Sequence, residues 1–335
     1  MIKKLINKPG EEVREMLEGL ILAFPYIVRL DSKWNNIYRL SKKSDDKVAL
    51  LSGGGSGHEP AHGGYVGFGM LDCACAGATF TSPTVPQILA GIKEVSTKVG
   101  VLVVIKNYSG DVMNFQSAVK LARAQGTKVD WVIVNDDVAV HDRSNRRGTG
   151  ITVFVHKIAG ALAEKYGSME DVKRVAQKVI DNGREFGLAL TPCSVPAAGK
   201  YTFELGEDEI EMGIGIHGEK GVEKAKWLPS CKLAKLMVNK VVEDLGVGKD
   251  DEITLMVQGT GGTPYMEKLL FYRDVRRYID SLGISVYASW IGEFMSSLEM
   301  QGARVGLLKL DQELKELLNA PANTVVIHMP GPVIS

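Results

Sequence analysis

Three short stretches of the chain combine chemically active side chains with glycine that gives a ligand room. The first is Ser52-Gly-Gly-Gly-Ser-Gly-His58-Glu-Pro60, which follows the apolar run Lys47-Val-Ala-Leu-Leu. Four glycines in six residues expose backbone N–H groups, which suits an anion or a hydroxylated ligand; the plainer alternative is a tight turn. His58 ends the stretch with an imidazole available for proton transfer or hydrogen bonding. No Gly-Lys-Ser/Thr follows, so this is not a P-loop, and the glycine spacing is not that of a dinucleotide fingerprint. The second stretch, Lys106-Asn-Tyr-Ser-Gly-Asp111, sets a cation and a carboxylate across a strand-end loop. Asp111 reads either as a general base for a hydroxyl proton or as the N-cap of the next helix. Lys106 reads as a hydroxyl ligand or as a solvated charge. The third, Gly213-Ile-Gly-Ile-His217-Gly-Glu219, ends an alternating strand on a histidine flanked by glycine, open to a ligand. A neutral imidazole there can act as a nucleophile, and a structural histidine is the alternative. The six histidines (58, 62, 141, 156, 217, 328) show no metal-ligand spacing, and Pro60 breaks any helix that would align His58 with His62. No metal or cofactor is expected.

These stretches need scaffolding, and the chain supplies it as alternating elements. Glu11 to Phe24 has helical apolar spacing. Apolar runs at 47–52, 99–105 and 129–134 read as buried strands feeding polar loops, with helices at 86–99 and 111–125 between them. That alternation predicts a largely parallel sheet covered on both faces, with ligands collecting beyond the carboxyl ends of the strands. A helix at 169–183 follows, and the pattern then changes. Strands are expected at 187–192, 209–216, 253–257, 284–290, 305–310 and 324–328, with helices at 228–245, 266–281 and 311–318. The fold class expected is α/β, with two α/β domains, 1–185 and 186–335, each a mixed or mostly parallel sheet covered by helices.

Composition narrows the function classes. The 335 residues carry 40 Lys+Arg against 40 Asp+Glu and are 45% hydrophobic. That is an ordinary core-forming chain, long enough for two domains at roughly 150 residues each. A net charge of zero lacks the basic excess of a nucleic-acid binder. The four cysteines form no disulfide framework and read as buried free thiols of a reducing compartment. MIKKLINKPG lacks the apolar core of a signal peptide, and Leu20–Val28 is far short of the ~20 residues that span a bilayer. A cytoplasmic protein without membrane contact is expected.

Taken together, Ser52–Pro60, Phe80-Thr-Ser-Pro83, Ile105–Asn114 and Gly213–Glu219 closely resemble the K subunit of bacterial dihydroxyacetone kinases, and the likeness covers nearly the whole chain. The resemblance implies that a ring nitrogen of His217 adds to the carbonyl carbon of dihydroxyacetone as a hemiaminal, while Gly55, His58, Lys106 and Asp111 hold the hydroxyls. In kinase subunits the residues matching His58 and Asp111 also assist phosphoryl transfer. Such a chemistry separates dihydroxyacetone from glycerol, because only the ketone has an electrophilic carbon. The family's K subunit binds no nucleotide and takes phosphate from an ADP on an L subunit recharged through an M subunit. With no room for an L-like domain, the chain is expected to phosphorylate nothing unaided.

Several positions depart from the kinase pattern. Ala78 replaces an acidic residue and Val85-Pro86 replaces Pro-Asp. The loop Asp142–Gly148, with Arg146 and Arg147, is about three residues shorter. Gln258 replaces Asn, and the tail from Asn323 to Ser335 is unlike the usual one. The two arginines read as exposed surface charge. Because these departures spare His217 and fall in segments that shape the site mouth and docking surface, the favoured expectation is the non-kinase paralogue, a ligand-sensing co-activator of a TetR-type transcription factor. The kinase K subunit, working with an L subunit, is the alternative. An unrelated α/β binding protein or sugar-phosphate isomerase would keep its ligand after His217→Ala. The resemblance also implies a homodimer.

Overall fold

The computed structural model describes residues 2–40, 44–219 and 221–330. In the first half of the chain, α1 (Glu12–Ala23) precedes β1 (Val28–Leu30), β2 (Asn36–Arg39), β3 (Ala49–Ser56), β4 (Gly67–Phe68) and β5 (Cys73–Thr79). Then α2 (Val85–Val95), β6 (Val101–Lys106), α3 (Ser109–Ala124) and β7 (Val129–Val134) alternate, followed by α4 (Ile151–Glu164) and α5 (Met169–Asn182). The second half holds β8 (Gly183–Ala189), β9 (Glu209–Met212), β10 (Glu223–Lys226), α6 (Ser230–Leu245), β11 (Glu252–Gly259) and α7 (Tyr265–Ser281). It closes with β12 (Ser285–Gly292), β13 (Gly302–Lys309), α8 (Gln312–Leu318), β14 (Ala322–Thr324) and β15 (His328–Met329).

The first sheet has the order β1-β2-β5-β3-β6-β7. Its four strands β5, β3, β6 and β7 run parallel, with β2 and β1 added antiparallel at one edge. Strand β6 shows why. Val101, Val103 and Ile105 face α2 and α3, whereas Leu102 and Val104 face the layer of α1, α4 and α5. A strand buried on both faces reads as a continuous apolar run, as parallel sheets require.

The second sheet, β10-β9-β8-β13-β11-β12, is mixed, and only β11 and β12 pair in parallel. The reason lies in the connections. A parallel neighbour needs a crossover, usually a helix, and only α7 joins two adjacent strands in this way. Helices α6 and α7 cover one face through Leu233, Met237, Phe271 and Val275. A small third sheet, β15-β14-β4, replaces the single strand expected at 324–328 and ties the late chain to Gly67–Phe68.

Helix α4 was not legible in the sequence. It touches β3 and β6 of the first sheet and β8 and β13 of the second. Nearly every residue from Ile151 to Ala163 is buried, polar Thr152, His156 and Lys157 included, so the segment presents no solvated face. The sequence changes sheet at Gly183, but one apolar core runs on across both sheets, joining Phe154 and Ile158 to Met256 and Leu308. Phe154 meets the Trp290 ring edge-on at 5.2 Å. Phe154→Ala is expected to lower the unfolding free energy by about 3–5 kcal/mol in urea denaturation. Leu22→Ala, at an exposed position on α1, should leave it unchanged. A cost for Phe154→Ala below that of Leu22→Ala would refute the shared core.

Candidate functional site

The glycine-rich stretch is strand rather than loop. Strand β3 runs through Gly53, Gly54 and Gly55 to Ser56, because each glycine lets something approach closer than a side chain would permit. A Cβ on Gly53 would sit 2.3 Å from the Cys75 carbonyl oxygen, and one on Gly54 would sit 2.4 Å from Lys106 Nζ. On Gly55 it would meet the Thr81 backbone nitrogen at 2.5 Å. The chain turns only at Gly57, which delivers His58. Lys106 likewise ends β6 and does not lie in a loop, and its buried ammonium stands 3.4 Å from Asp111 Oδ2. Asp111 lies in the first turn of α3, where the N-cap position belongs to Tyr108, so the capping alternative does not hold.

His217 arrives from the other sheet. Strand β9 stops at Met212 and Gly213 takes a left-handed φ of 69°. Two arginines then hold the backbone leading to the histidine. Arg147 Nη2 donates to the Gly213 carbonyl at 2.7 Å, and Arg304 Nη1 donates to that of Ile214 at 2.9 Å. Arg147 also pairs with Asp137 at 2.8 Å, and Arg304 with Glu185 at 2.6 Å. Beyond the histidine, Glu219 accepts its backbone N–H at 2.8 Å. Gly215 makes room for that carboxylate, since a Cβ there would lie 1.7 Å from Glu219 Oε1. This glycine serves the turn itself and not the ligand.

The two segments bring their imidazoles together. The His58 and His217 rings cross at 86° with centroids 4.5 Å apart. Phe80 stacks on His58 at 5.1 Å, and Tyr108 meets His217 edge-on at 4.3 Å. Phe80 holds a left-handed φ of 56°, a strained setting for a bulky residue and one that clusters at functional sites. His58 Nδ1 faces the Ser296 carbonyl at 2.9 Å. A carbonyl only accepts, so Nδ1 carries the proton and Nε2, buried and unpartnered, is the free base. Among the described residues neither ring nitrogen of His217 has a hydrogen-bond partner. Burial, with Lys106 and Arg147 nearby, pushes the His217 imidazole down to about 3, and burial beside His217 and Lys106 holds His58 well below its ordinary value. Both rings are neutral at physiological pH. The arrangement therefore offers an uncharged nucleophilic imidazole, a second free base, and a Lys–Asp pair to bind hydroxyls.

Gly55, His58, Lys106, Asp111 and His217 thus meet at the junction of the two sheets. Sequence reasoning missed the rings of Phe80 and Tyr108, though both lie inside the quoted motifs, and it missed Arg304 and Glu185 outright. It also misplaced the arginines. Arg146 is buried on Asp244 at 2.8 Å, and Arg147 belongs to the His217 turn, so neither is surface charge. Gln258 is interior as well, donating to Glu185 at 2.6 Å and accepting from the Met295 N–H at 2.8 Å. Among the other departures, Ala78, Pro86, the loop residues 142–145 and the tail residues Asn323, Val326 and His328 are exposed. The end of the divergent tail, 331–335, lies outside the described residues. Of the cysteines, Cys73, Cys75 and Cys193 are buried free thiols, whereas Cys231 is exposed. No group of three or more His, Cys, Asp or Glu among the described residues is placed to hold a metal ion.

Comparison with known proteins agrees with this architecture. Residues 18–326 match the Dak1 domain, and the chain belongs to that family of DhaK-like proteins. It is 44% identical to the PTS-dependent dihydroxyacetone kinase 1, dihydroxyacetone-binding subunit DhaK, of Listeria innocua, over 97% of this chain and 99% of that protein. A solved dihydroxyacetone kinase operon co-activator, Dha-DhaQ, superposes with a TM-score of 0.89 at 35% identity, covering 96% of this chain and 99% of that one. The dihydroxyacetone kinase of C. freundii gives a TM-score of 0.90 at 31% identity, with all of this chain covering 62% of the longer one.

The depressed histidine predicts a pH signature. Unfolded, His217 takes up a proton near pH ~6.5, whereas folded it does so only near about 3. Between those values the unfolded state binds more protons, so this group's contribution to stability falls as the pH drops below ~6.5. The share is at most about 1.4 kcal/mol per pH unit. In urea titrations from pH 7.5 to 5, His217→Gln should therefore gain stability relative to wild type as the pH falls. Parallel curves for the two proteins would contradict a neutral, buried His217.

Proposed function

We propose that this protein captures dihydroxyacetone covalently through His217. The observation that carries the reading is the neutral His217 imidazole, free of protein partners, set beside the free base of His58 and the Lys106–Asp111 pair. One ring nitrogen's lone pair forms the C–N bond to the ketone carbon, and the carbonyl π pair moves to oxygen. The proton of the other ring nitrogen is released and one is taken up by that oxygen. Nothing leaves, so the protein gains the whole mass of the ligand. Lys106, Asp111, His58 and the Gly55 backbone bind the hydroxyls. Glycerol offers the same hydroxyls and no electrophilic carbon, so it is excluded by chemistry and not by shape.

Of the two roles open to such a protein, we place the kinase subunit first. Its support is the 44% identity to a dihydroxyacetone-binding subunit along the full chain, together with Asp111 and His58 in position to take a hydroxyl proton during phosphoryl transfer. One departure that favoured the co-activator reading, Gln258, is interior and bears on packing instead of docking. The co-activator of a TetR-type transcription factor stays as the second reading. It is supported by the full-length likeness to Dha-DhaQ and by the exposed changes at Ala78, at Pro86 and in the shortened loop at 142–145. In both readings the protein works as a cytosolic homodimer without cofactor. Free thiols suit that compartment, and no described helix is long and apolar enough to cross a membrane.

The test is a reconstituted assay with dihydroxyacetone, phosphoenolpyruvate, the phosphotransferase proteins, the M subunit and an ADP-loaded L subunit. This chain is the only K-type protein present. The kinase reading expects turnover that His217→Ala abolishes, together with loss of the adduct from the intact mass. Asp111→Asn should keep the adduct and lose turnover. Adduct without turnover in the wild type, with capture of a TetR-type regulator and not of the L subunit, would overturn the kinase role. Turnover by His217→Ala would overturn the covalent mechanism.

A further inference from the structure

A cavity of about 320 Å³ lies between α1 and the β2–β5–β3 part of the first sheet, apart from the His217 turn. Met16, Leu20 and Phe24 of α1 roof it, and Ile37 and Ala74 form the floor. An engineered apolar cavity of about 150 Å³ already admits benzene, so this one has room for an aryl ring with a short side chain. Among the described residues of its wall Glu59 is the only acid, and there is no Lys or Arg. That carboxylate is uncompensated. Its two oxygens share the Gly57 N–H, at 3.1 and 3.0 Å, and no cation among the described residues pairs with it. An ionised carboxylate has about four acceptor sites, so most of them stay open. Burial without a cation pushes the Glu59 carboxyl above its ordinary value. A charge taken out of water is costly unless it is paired, and an ammonium brought by a ligand supplies the pairing.

We infer that this cavity is a second ligand site, taking a small protonated amine whose apolar body fills the space under α1 and whose ammonium is held by Glu59. Met16, Ser56 and Glu59 also line a neighbouring cleft of about 370 Å³ that reaches Lys4 and the exposed Leu5, so Glu59 stands where cleft and cavity meet. The cleft favours the same sign of charge. Its Glu12 and Glu15 have no cationic partner among the described residues, and Lys4 is already paired with Glu299 at 2.7 Å. A wall of one sign raises the local concentration of the opposite charge. His62, also in the cavity wall, does not oppose an ammonium, because burial and the nearby Lys106 keep its ring uncharged. A neutral occupant leaves Glu59 unpaired, and an anion is repelled by it. The wall includes Gly54, Gly55 and Ser56, so the amine lies directly behind the strand that delivers His58.

The test uses the full chain with phenethylamine, phenethyl alcohol and phenylacetate as probes at neutral pH, followed by calorimetry and by the methyl NMR signals of Leu17, Leu20 and Val326. The amine should bind saturably and shift those methyls, about tenfold or more tighter than the alcohol, because its hydrogen bond to Glu59 joins two charges. Phenylacetate should not bind. Glu59→Gln keeps an acceptor for the Gly57 N–H and should bring the amine down to the affinity of the alcohol. Leu20→Trp, which fills the cavity from α1, should abolish binding of amine and alcohol alike in a protein that remains folded by circular dichroism. His217→Ala and Asp111→Asn should bind the amine as wild type does, which separates this site from triose capture. Absence of saturable amine binding, equal affinity for amine and alcohol in the wild type, amine binding unaffected by Glu59→Gln or Leu20→Trp, or its loss in Asp111→Asn would each overturn the inference.

Discussion

Two arginines at the junction of the sheets, half-buried Arg147 and fully buried Arg304, hold the carbonyls of Gly213 and Ile214 and so fix the turn on which His217 stands. Burying a guanidinium costs several kcal/mol unless it is paired and hydrogen-bonded. Asp137 and Glu185 supply the pairing, and the strand-end carbonyls supply the bonds. The consequence is directional. Removing either arginine strands buried carboxylates as well as loosening the turn, so the network ties the position of one imidazole to the stability of the junction. Gln258 and the Gly150 N–H bind Glu185 from the other side and extend the network to the start of α4.

That frame solves an electrostatic problem. The proposed covalent capture needs an uncharged histidine, with the Lys–Asp pair within reach of the same ligand. Burial of His217 against Phe80 and Tyr108 disfavours its protonated form, and the positive charges of Lys106 and Arg147 disfavour it further. The Lys106 cation, proposed above to bind hydroxyls, therefore also keeps the His217 imidazole uncharged. The glycines of β3 allow this crowding, since any side chain at Gly54 would displace the Lys106 ammonium.

What the sequence disclosed follows from how local each signal is. The strand–helix alternation of the first half, and the residues that meet at the site, were legible because each motif occupies a strand end and its following turn. Helix α4 was hidden because it is apolar almost throughout and its few polar residues, Thr152, His156 and Lys157, are buried with the rest, so no charged, solvated face marks it. The glycine stretch looked like a loop because the need for close approach comes from Cys75, Thr81 and Lys106, which only the folded sheet brings near. Arg147 and Arg304 were illegible for the same reason. Their carbonyl partners lie 66 and 90 positions away in the chain, and nothing adjacent marks either arginine as interior. Antiparallel order in the second sheet follows from which strands lack a crossover helix, a distinction the apolar runs alone do not carry.

Covalent capture is the central claim, and the hybridisation of the ligand's ketone carbon reads it most directly. Dihydroxyacetone labelled with carbon-13 at that carbon, bound to the protein and observed by NMR, should lose its carbonyl resonance. A resonance in the range of a saturated carbon bearing nitrogen and oxygen should replace it, coupled to nitrogen-15 introduced into the histidine rings. A bound ligand that keeps its carbonyl resonance, or a saturated carbon showing no coupling to histidine nitrogen, would contradict the account.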